Sequence, residues 1–386
     1  MNVILTNVES PQVISMINSF GKKNIDVICL SSDQSAPGFY STYSSANHLH
    51  NPIIYKNYKP TERSTKNFIK LISLVTKKWS PSILIPNSES TLIPLSARRD
   101  EIDAIMPIPS HESIETVYKK WLTITFCNDH NIKVPRSFMP NPSRLVDKPN
   151  LIKFPAIIKE AISFGGGKFF ICNDLNELKM KYNQFISQGK LPMIQEYVDG
   201  PEYNCIFAVD KNSKIIGSLI SEFHLADSDT SSFSINKSNR NIERISAKIL
   251  KKLGWHGLVS IQFVLKNGDP CLIEINPRLG ASMELAIRSG IDLPYILYCD
   301  ILKKPLKRSP SKKNLIFIYW HNGILYQIKK YGLNHFLKLL YKDKIVLRTF
   351  FPNDPLPSAS MLFKFLKESV NYRLFMKNHK IIRQQP

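Results

Sequence analysis

The run LVSIQFVLKNGDPCLIEINPRLG, residues 258–280, leaves few options for how it folds. Two stretches rich in β-branched residues flank Lys266-Asn267-Gly268-Asp269, and an Asn-Gly pair between such stretches signals a tight hairpin. Side chains on a strand alternate between its faces, so Glu274, Asn276 and Arg278 share one face while Ile273 and Ile275 point the other way. Gln262, with Ser260 and Val264, takes the equivalent position on the neighbouring strand. A half-solvated polar sheet face and a cation site are the two readings of this pattern. Mg²⁺ prefers oxygen ligands and is usually held by one or two carboxylates together with substrate phosphates. One carboxylate with two amide oxygens suffices only if a polyphosphate brings the remaining negative charge.

The rest of the chain supplies a frame for that hairpin. NVILTN and IDVICLSS are apolar strand-like runs around a helical pattern that begins after Ser10, has Pro11 at its first position and ends at Gly21. PSILIPNSESTLIPLSARRDEI adds strand, loop and helix, so residues 1–105 are expected to form a parallel α/β domain. Such sheets bind ligands beyond the carboxyl ends of their strands, which makes Ser31–Ser44 and Pro86–Ser90 candidate substrate loops. Helical spacing from Val117 to Asn128 precedes a strand in HNIKVPRSF, then two strands around a glycine-rich turn in FPAIIKEAISFGGGKFFIC, then an amphipathic helix in LNELKMKYNQFIS. LPMIQEYVDGPEYNCIFAVDKNSKIIGSLISEF reads as strand, loop and long hairpin, and NIERISAKILKKLGWHG as a helix. The proline-rich, basic segment 305–314 suggests a boundary. The expected units are 1–105, 106–190, 191–304 and a basic extension, 305–386.

Three further stretches carry chemistry. SFGGGK, Ser163–Lys168, allows backbone N–H groups to crowd around an anion, although a plain hairpin turn explains it equally. Lys159 lies just upstream, sharing a strand face with Ile157 and Ala161. IQEYVDGPE, Ile194–Glu202, offers extended backbone groups that could pair with an adenine edge and an acid for ribose hydroxyls, or is simply a strand leaving into a Gly-Pro turn.

In this order the pieces resemble the ATP-grasp superfamily of carboxylate-amine ligases, from about Lys119 to Leu302. The resemblance is strongest to the group related to half of the carbamoyl-phosphate synthetase large chain, which includes D-aspartate ligase-like proteins. It implies an α/β fold, α+β in its ATP-grasp part: a parallel pre-ATP-grasp domain, lid and C-terminal subdomains with antiparallel sheets, and the small basic extension. It implies Lys120 and Lys159 on the nucleotide phosphates, Gly165, Gly166 and Gly167 as the flexible phosphate loop, the backbone of Glu196 and Val198 on adenine, and Glu202 on ribose. Gln262, Glu274 and Asn276 would hold one or two Mg²⁺ ions, with Mn²⁺ as an alternative, and Arg278 would be the catalytic phosphate clamp. Lys119 stands where the family usually has an acid, and Gln262 where many members have Asp or Glu. Ser221–Asn239 corresponds to a loop beside the acyl substrate. The implied reaction joins a small-molecule carboxylate to an amine through an acylphosphate, releasing ADP and phosphate. An ATP-binding regulatory protein without turnover is the alternative.

Composition limits the partners. Net charge is +21, but from Lys303 onward 18 Lys and Arg face 3 acids, so +15 lies in that tail and +6 in the preceding 302 residues. A solvated basic surface, contact with an anionic surface, and attraction of an anionic acceptor such as a sugar acid or cell-envelope precursor all fit. No specific nucleic acid is expected, since the tail's aromatic residues form no binding motif. No apolar run approaches the ~20 residues of a membrane span, and the opening MNVILTNVES lacks a leader pattern, so a cytoplasmic location is expected. The six cysteines have no C-x-x-C pair and read as reduced core thiols. A homodimer is compatible with the sequence.

Overall fold

The computed structural model describes residues 1–139, 152–162, 169–226, 228–280, 282–306, 311–312, 314–318, 328–329, 331–341, 345–347 and 351–364. The N-terminal part follows the expected path: β1 (Asn2–Thr6), α1 (Pro11–Gly21), β2 (Val27–Ser31) and β3 (Ser44–Leu49). A short ribbon of β4 (Tyr55–Lys56) and β5 (Lys59–Pro60) leads to α2 (Glu62–Lys78), β6 (Ser82–Ile85) and α3 (Glu89–Ala97). The four long strands pair in parallel in the order β3-β2-β1-β6. All five residues of β2 are buried, as in a sheet covered on both faces.

The expected helix over Val117–Asn128 is two helices, α4 (His111–Tyr118) and α5 (Lys120–Asp129). Lys119 between them is extended, with φ −86° and ψ 95°. It bridges to Ile162, and the Lys120 N–H donates to Ala161 O at 2.9 Å. The break therefore pins the start of α5 to the end of the Lys159 strand.

The lid sheet has the order β7-β10-β8-β9, from β7 (Ser137–Phe138), β8 (Ala156–Glu160), β9 (Phe169–Cys172) and β10 (Pro192–Glu196), covered by α6 (Leu175–Ser187). Because β10 pairs with β8 from Pro192 to Glu196, the lid sheet continues across the boundary expected at residue 190. The glycine turn Ser163–Lys168 lies outside the described residues.

The main sheet has seven strands in the order β15-β14-β11-β12-β13-β16-β17. It contains β11 (Glu202–Val209), β12 (Ile215–Ala226), β13 (Ser228–Lys237), β14 (Gly257–Lys266), β15 (Asp269–Asn276), β16 (Ile316–Ile318) and β17 (Ile345–Leu347). α7 (Arg240–Lys252) buries Ile242, Ile249 and Leu250 against one face, where Phe207, Trp255, Phe263 and Ile275 complete a core. Part of the other face is closed by α1, α8 (Met283–Arg288) and α9 (Leu293–Ile301). Ser221–Asn239, expected as a substrate loop, is largely the β12/β13 arm, because backbone pairing continues from Ile220↔Lys237 to Ala226↔Ser228.

The basic extension is not set apart from the main sheet: β16 pairs with β13, and β17 lies parallel to β16. Beyond it, Asp354 is completely buried and accepts from Asn18 Nδ2 at 2.9 Å, Ser41 Oγ at 2.6 Å and the Thr42 N–H at 2.9 Å. Among the described residues no helix is long and apolar enough to cross a membrane. All six cysteines are buried and unpaired.

Candidate active site

The β14/β15 hairpin turns with positive φ at Asn267 (54°) and Gly268 (85°), as an Asn-Gly turn requires. Its register sets Gln262 opposite Glu274 and Ser260 opposite Asn276, and Asn204 of β11 lies opposite Gln262 on the other side. These polar residues form one row across three strands. The strict alternation fails at one residue. A β-bulge after Gln262 matches Phe263 with Leu272, so Ile273 is extra and packs with Val198, Val264 and Cys271, away from Ile275 in the α7 core. An apolar shelf therefore adjoins the polar row.

The two candidate lysines come from other elements, and both act electrostatically on Glu274. Lys120, in the first turn of α5, places Nζ 4.0 Å from Glu274 Oε2. Lys159 on β8 is buried and donates to Gln195 Oε1 at 2.8 Å; Gln195 in turn donates through Nε2 to Ser137 Oγ at 2.9 Å. Burial pushes the Lys159 ammonium down to about 8, opposed by Glu274 and reinforced by Lys120. For Glu274, burial disfavours the charged form, but Lys120, Lys159, the Asn276 hydrogen bond and Arg278 outweigh it and hold its pKa below the ordinary carboxylate value. Asn276 Nδ2 donates to Glu274 Oε1 at 2.8 Å, which puts its carbonyl oxygen on the opposite edge of the amide.

Arg278 has a partner that sequence reasoning did not identify. Its Nε donates to both carboxylate oxygens of Glu89, at 3.1 and 3.0 Å. Glu89 opens α3 of the N-terminal domain and falls within the Pro86–Ser90 loop that sequence marked for substrate contact. The 189-residue separation hides the pairing from any local pattern.

At the lid end, the Glu196 N–H is committed to Arg136 O at 2.8 Å, so that donor is not available to a base. The Val198 N–H has no hydrogen-bond partner among the described residues. The Glu196 carboxylate is held by Lys266 Nζ at 2.7 Å, which keeps its pKa low. Burial raises the pKa of Glu202, at the start of β11. A cavity of about 110 Å³ lies against the lid sheet, lined by residues including Arg136, Phe138, Lys153, Ile194, Gln195 and Glu196. It is smaller than the ~300–1,000 Å³ of ordinary ligand pockets. Arg136 and Lys153 were not singled out from sequence; each reads locally as an ordinary solvated base.

The donor set suits a divalent cation only in company. No group of three or more His, Cys, Asp or Glu side chains converges among the described residues. Glu274, with the amide oxygens of Asn276 and Gln262, fits Mg²⁺ carried by a polyphosphate rather than a free-standing metal site.

Residues 117–282 match the family model of the ATP-grasp domain. The chain is similar to the carbamoyl phosphate synthase large chain of Thermoanaerobacter sp. (strain X514), 29% identical over an alignment of 175 residues that covers 42% of this chain and 16% of that one. The match thus covers a minor part of that relative's length. In fold, the chain resembles N5-carboxyaminoimidazole synthetase from Staphylococcus aureus complexed with ADP, at a TM-score of 0.67 and 13% identity, covering 88% of this chain and 86% of that one. It also resembles an L-amino acid ligase from Bacillus licheniformis, at a TM-score of 0.60 and 13% identity, covering 79% and 75%.

Proposed function

Residues 117–282 are an ATP-grasp domain, and on that premise we propose that this protein is an ATP-dependent ligase that joins a carboxylate to an amine. The observation that carries the reading is Lys120 of α5 at 4.0 Å from Glu274, with Lys159 of β8 and Arg278 just after β15 acting electrostatically on the same carboxylate. Three cations with two carboxylates, Glu274 and the Glu89 that pairs with Arg278, leave one positive charge in surplus, which suits a polyphosphate.

In the proposed reaction a carboxylate oxygen attacks the γ-phosphorus of ATP, the bond to the β,γ-bridging oxygen breaks, and ADP leaves. An amine nitrogen then attacks the acyl carbon, the C–O bond to phosphate breaks, and the nitrogen loses a proton. Phosphoryl transfer asks the protein mainly to position groups and offset charge. Lys120 and Lys159 hold the phosphates, and the Val198 backbone with the Val198/Val264/Ile273 shelf receives the adenine. Glu202 serves the ribose, and Arg278 clamps the transferred phosphoryl. Gly165, Gly166 and Gly167 close over it and keep water from the acylphosphate. Mg²⁺, when bound through Glu274, Asn276 and Gln262, neutralises charge developing on the phosphate oxygens. The +15 tail favours an anionic acceptor, such as a sugar acid or envelope precursor.

The test is ADP and phosphate release from Mg-ATP across panels of amino acids and carboxylates, with Glu274→Ala as control. Release that depends on a carboxylate and amine pair and is lost in Glu274→Ala supports the ligase. A regulatory ATP-binding protein is the second reading, favoured by the single carboxylate of the cation set. Mg²⁺-dependent ATP binding without turnover in any mixture would select it.

A further inference from the structure

We propose that Glu89 is the positioning residue of Arg278, supplied by the N-terminal domain to aim the phosphate clamp of the ATP-grasp domain; this rests on reading Arg278 as that clamp. Glu89 is far more buried than a surface ion-pair partner, with 4% of its side chain exposed against 17% for Arg278. A carboxylate this buried needs a compensating charge, and among the described residues Arg278 is the only cation within ion-pair distance. Both oxygens meet Nε, at 3.1 and 3.0 Å. This contact occupies one corner of the guanidinium and leaves the Nη1/Nη2 edge to present two parallel donors to a phosphoryl group.

The support behind Glu89 is itself fixed. Ser88 caps α3 by accepting from the Ser90 N–H, and the positive end of the helix favours an acid in its first turn. In the same turn Thr91 Oγ1 donates to Asn7 Oδ1 at 2.8 Å and contacts Thr6 Oγ1 at 2.9 Å, which ties α3 to the carboxyl end of β1. Arg278 also has a rival carboxylate, Glu274, four residues earlier in the chain. Without Glu89, the guanidinium is drawn toward Glu274 and competes with the cation proposed to bind there. Glu89 thus keeps Arg278 on the phosphate side and ties its aim to the placement of the N-terminal domain.

The test uses the full chain, MgADP, and MgADP with aluminium fluoride as a mimic of the transferred phosphoryl, with affinities measured by calorimetry. Glu89→Ala is expected to bind MgADP within about twofold of the unaltered protein but to lose about tenfold or more of the added aluminium fluoride affinity. Glu89→Gln keeps one acceptor oxygen and loses the charge, so its loss is expected to be intermediate, about threefold to fivefold. In an Arg278→Ala background, Glu89→Ala should cost nothing further. Unchanged aluminium fluoride affinity in Glu89→Ala overturns the proposal, as does an equal weakening of both complexes with a lowered melting temperature, which marks a purely structural role. Should Glu89→Ala not fold, a loss of under about twofold in Glu89→Gln overturns it. If the unaltered protein binds no MgADP, the ligase reading fails first, independently of Glu89.

Discussion

Replacing Glu274 by glutamine separates two roles proposed for one carboxylate. It offsets Lys120 and Lys159, while Glu89 pairs with Arg278, and it is the charged ligand proposed for the cation that accompanies ATP. At 4.0 Å from Lys120, a full charge pair at an effective dielectric constant of about 20 is worth about 4 kcal/mol. Partial exposure of both side chains, 16% and 27%, reduces this to about 1–3 kcal/mol of net effect. Glu274→Gln should therefore bind metal-free ATP more tightly, by about tenfold at about 1.4 kcal/mol, because Lys120 and Lys159 lose their internal anion. With Mg²⁺ present the same change removes the carboxylate ligand, so the gain in affinity conferred by Mg²⁺ should vanish. Calorimetric titration of ATP with and without Mg²⁺ measures both effects. A Glu274→Gln protein that keeps the full Mg²⁺-dependent gain, or that binds metal-free ATP more weakly, would refute this reasoning.

Other perturbations probe neighbouring parts of the structure. Burial holds the Lys159 pKa down to about 8, below the ordinary lysine value of about 10.4, so it penalises the folded state when charged; stability from this group should rise as pH increases from about 8 toward 10.4. ATP phosphates should restore the higher value, so binding at pH 9 should take up close to one proton, seen as a buffer-dependent heat of binding and absent in Lys159→Met. Asp354→Ala leaves the donors of Asn18, Ser41 and Thr42 without their acceptor; unfolding titrations should show a loss on the order of 3 kcal/mol, and proteolysis should reach the segment after β17 more readily. A Cβ at Gly200 would sit 2.2 Å from Leu265 O at φ +150°, so Gly200→Ala should displace the link between β10 and β11 and weaken ATP binding without altering the lid sheet's own fold.

What could be read from sequence follows the range of the interactions involved. The β14/β15 turn, the shared face of Glu274 and Asn276, and α6 over Leu175–Ser187 depend on local periodicity and turn residues, and they appear where expected. The bulge that turns Ile273 toward Val198 and Val264 leaves no local mark, because a strict two-residue period is the default for any strand. The break at Lys119 arises from pairing with Ile162, which no helical pattern over Val117–Asn128 records. The union of Ile316–Ile318 with β13 joins segments about eighty residues apart, and the proline-rich stretch between them masked it. Glu89 and Arg278 meet only because the N-terminal domain packs against the ATP-grasp domain. Long-range partners of this kind follow from tertiary packing, whereas the polar face of β14 and β15 follows from local alternation along the chain.

Carboxylate activation is tested most directly by trapping the acylphosphate. With Mg-ATP, a carboxylate panel and hydroxylamine in place of the unknown amine, an acylphosphate formed at Arg278 and Glu274 should yield a hydroxamate together with ADP and phosphate, and Glu274→Gln should abolish it. Tight Mg-ATP binding with no hydroxamate and no ADP from any carboxylate would contradict the ligase and leave a nucleotide-binding protein without turnover.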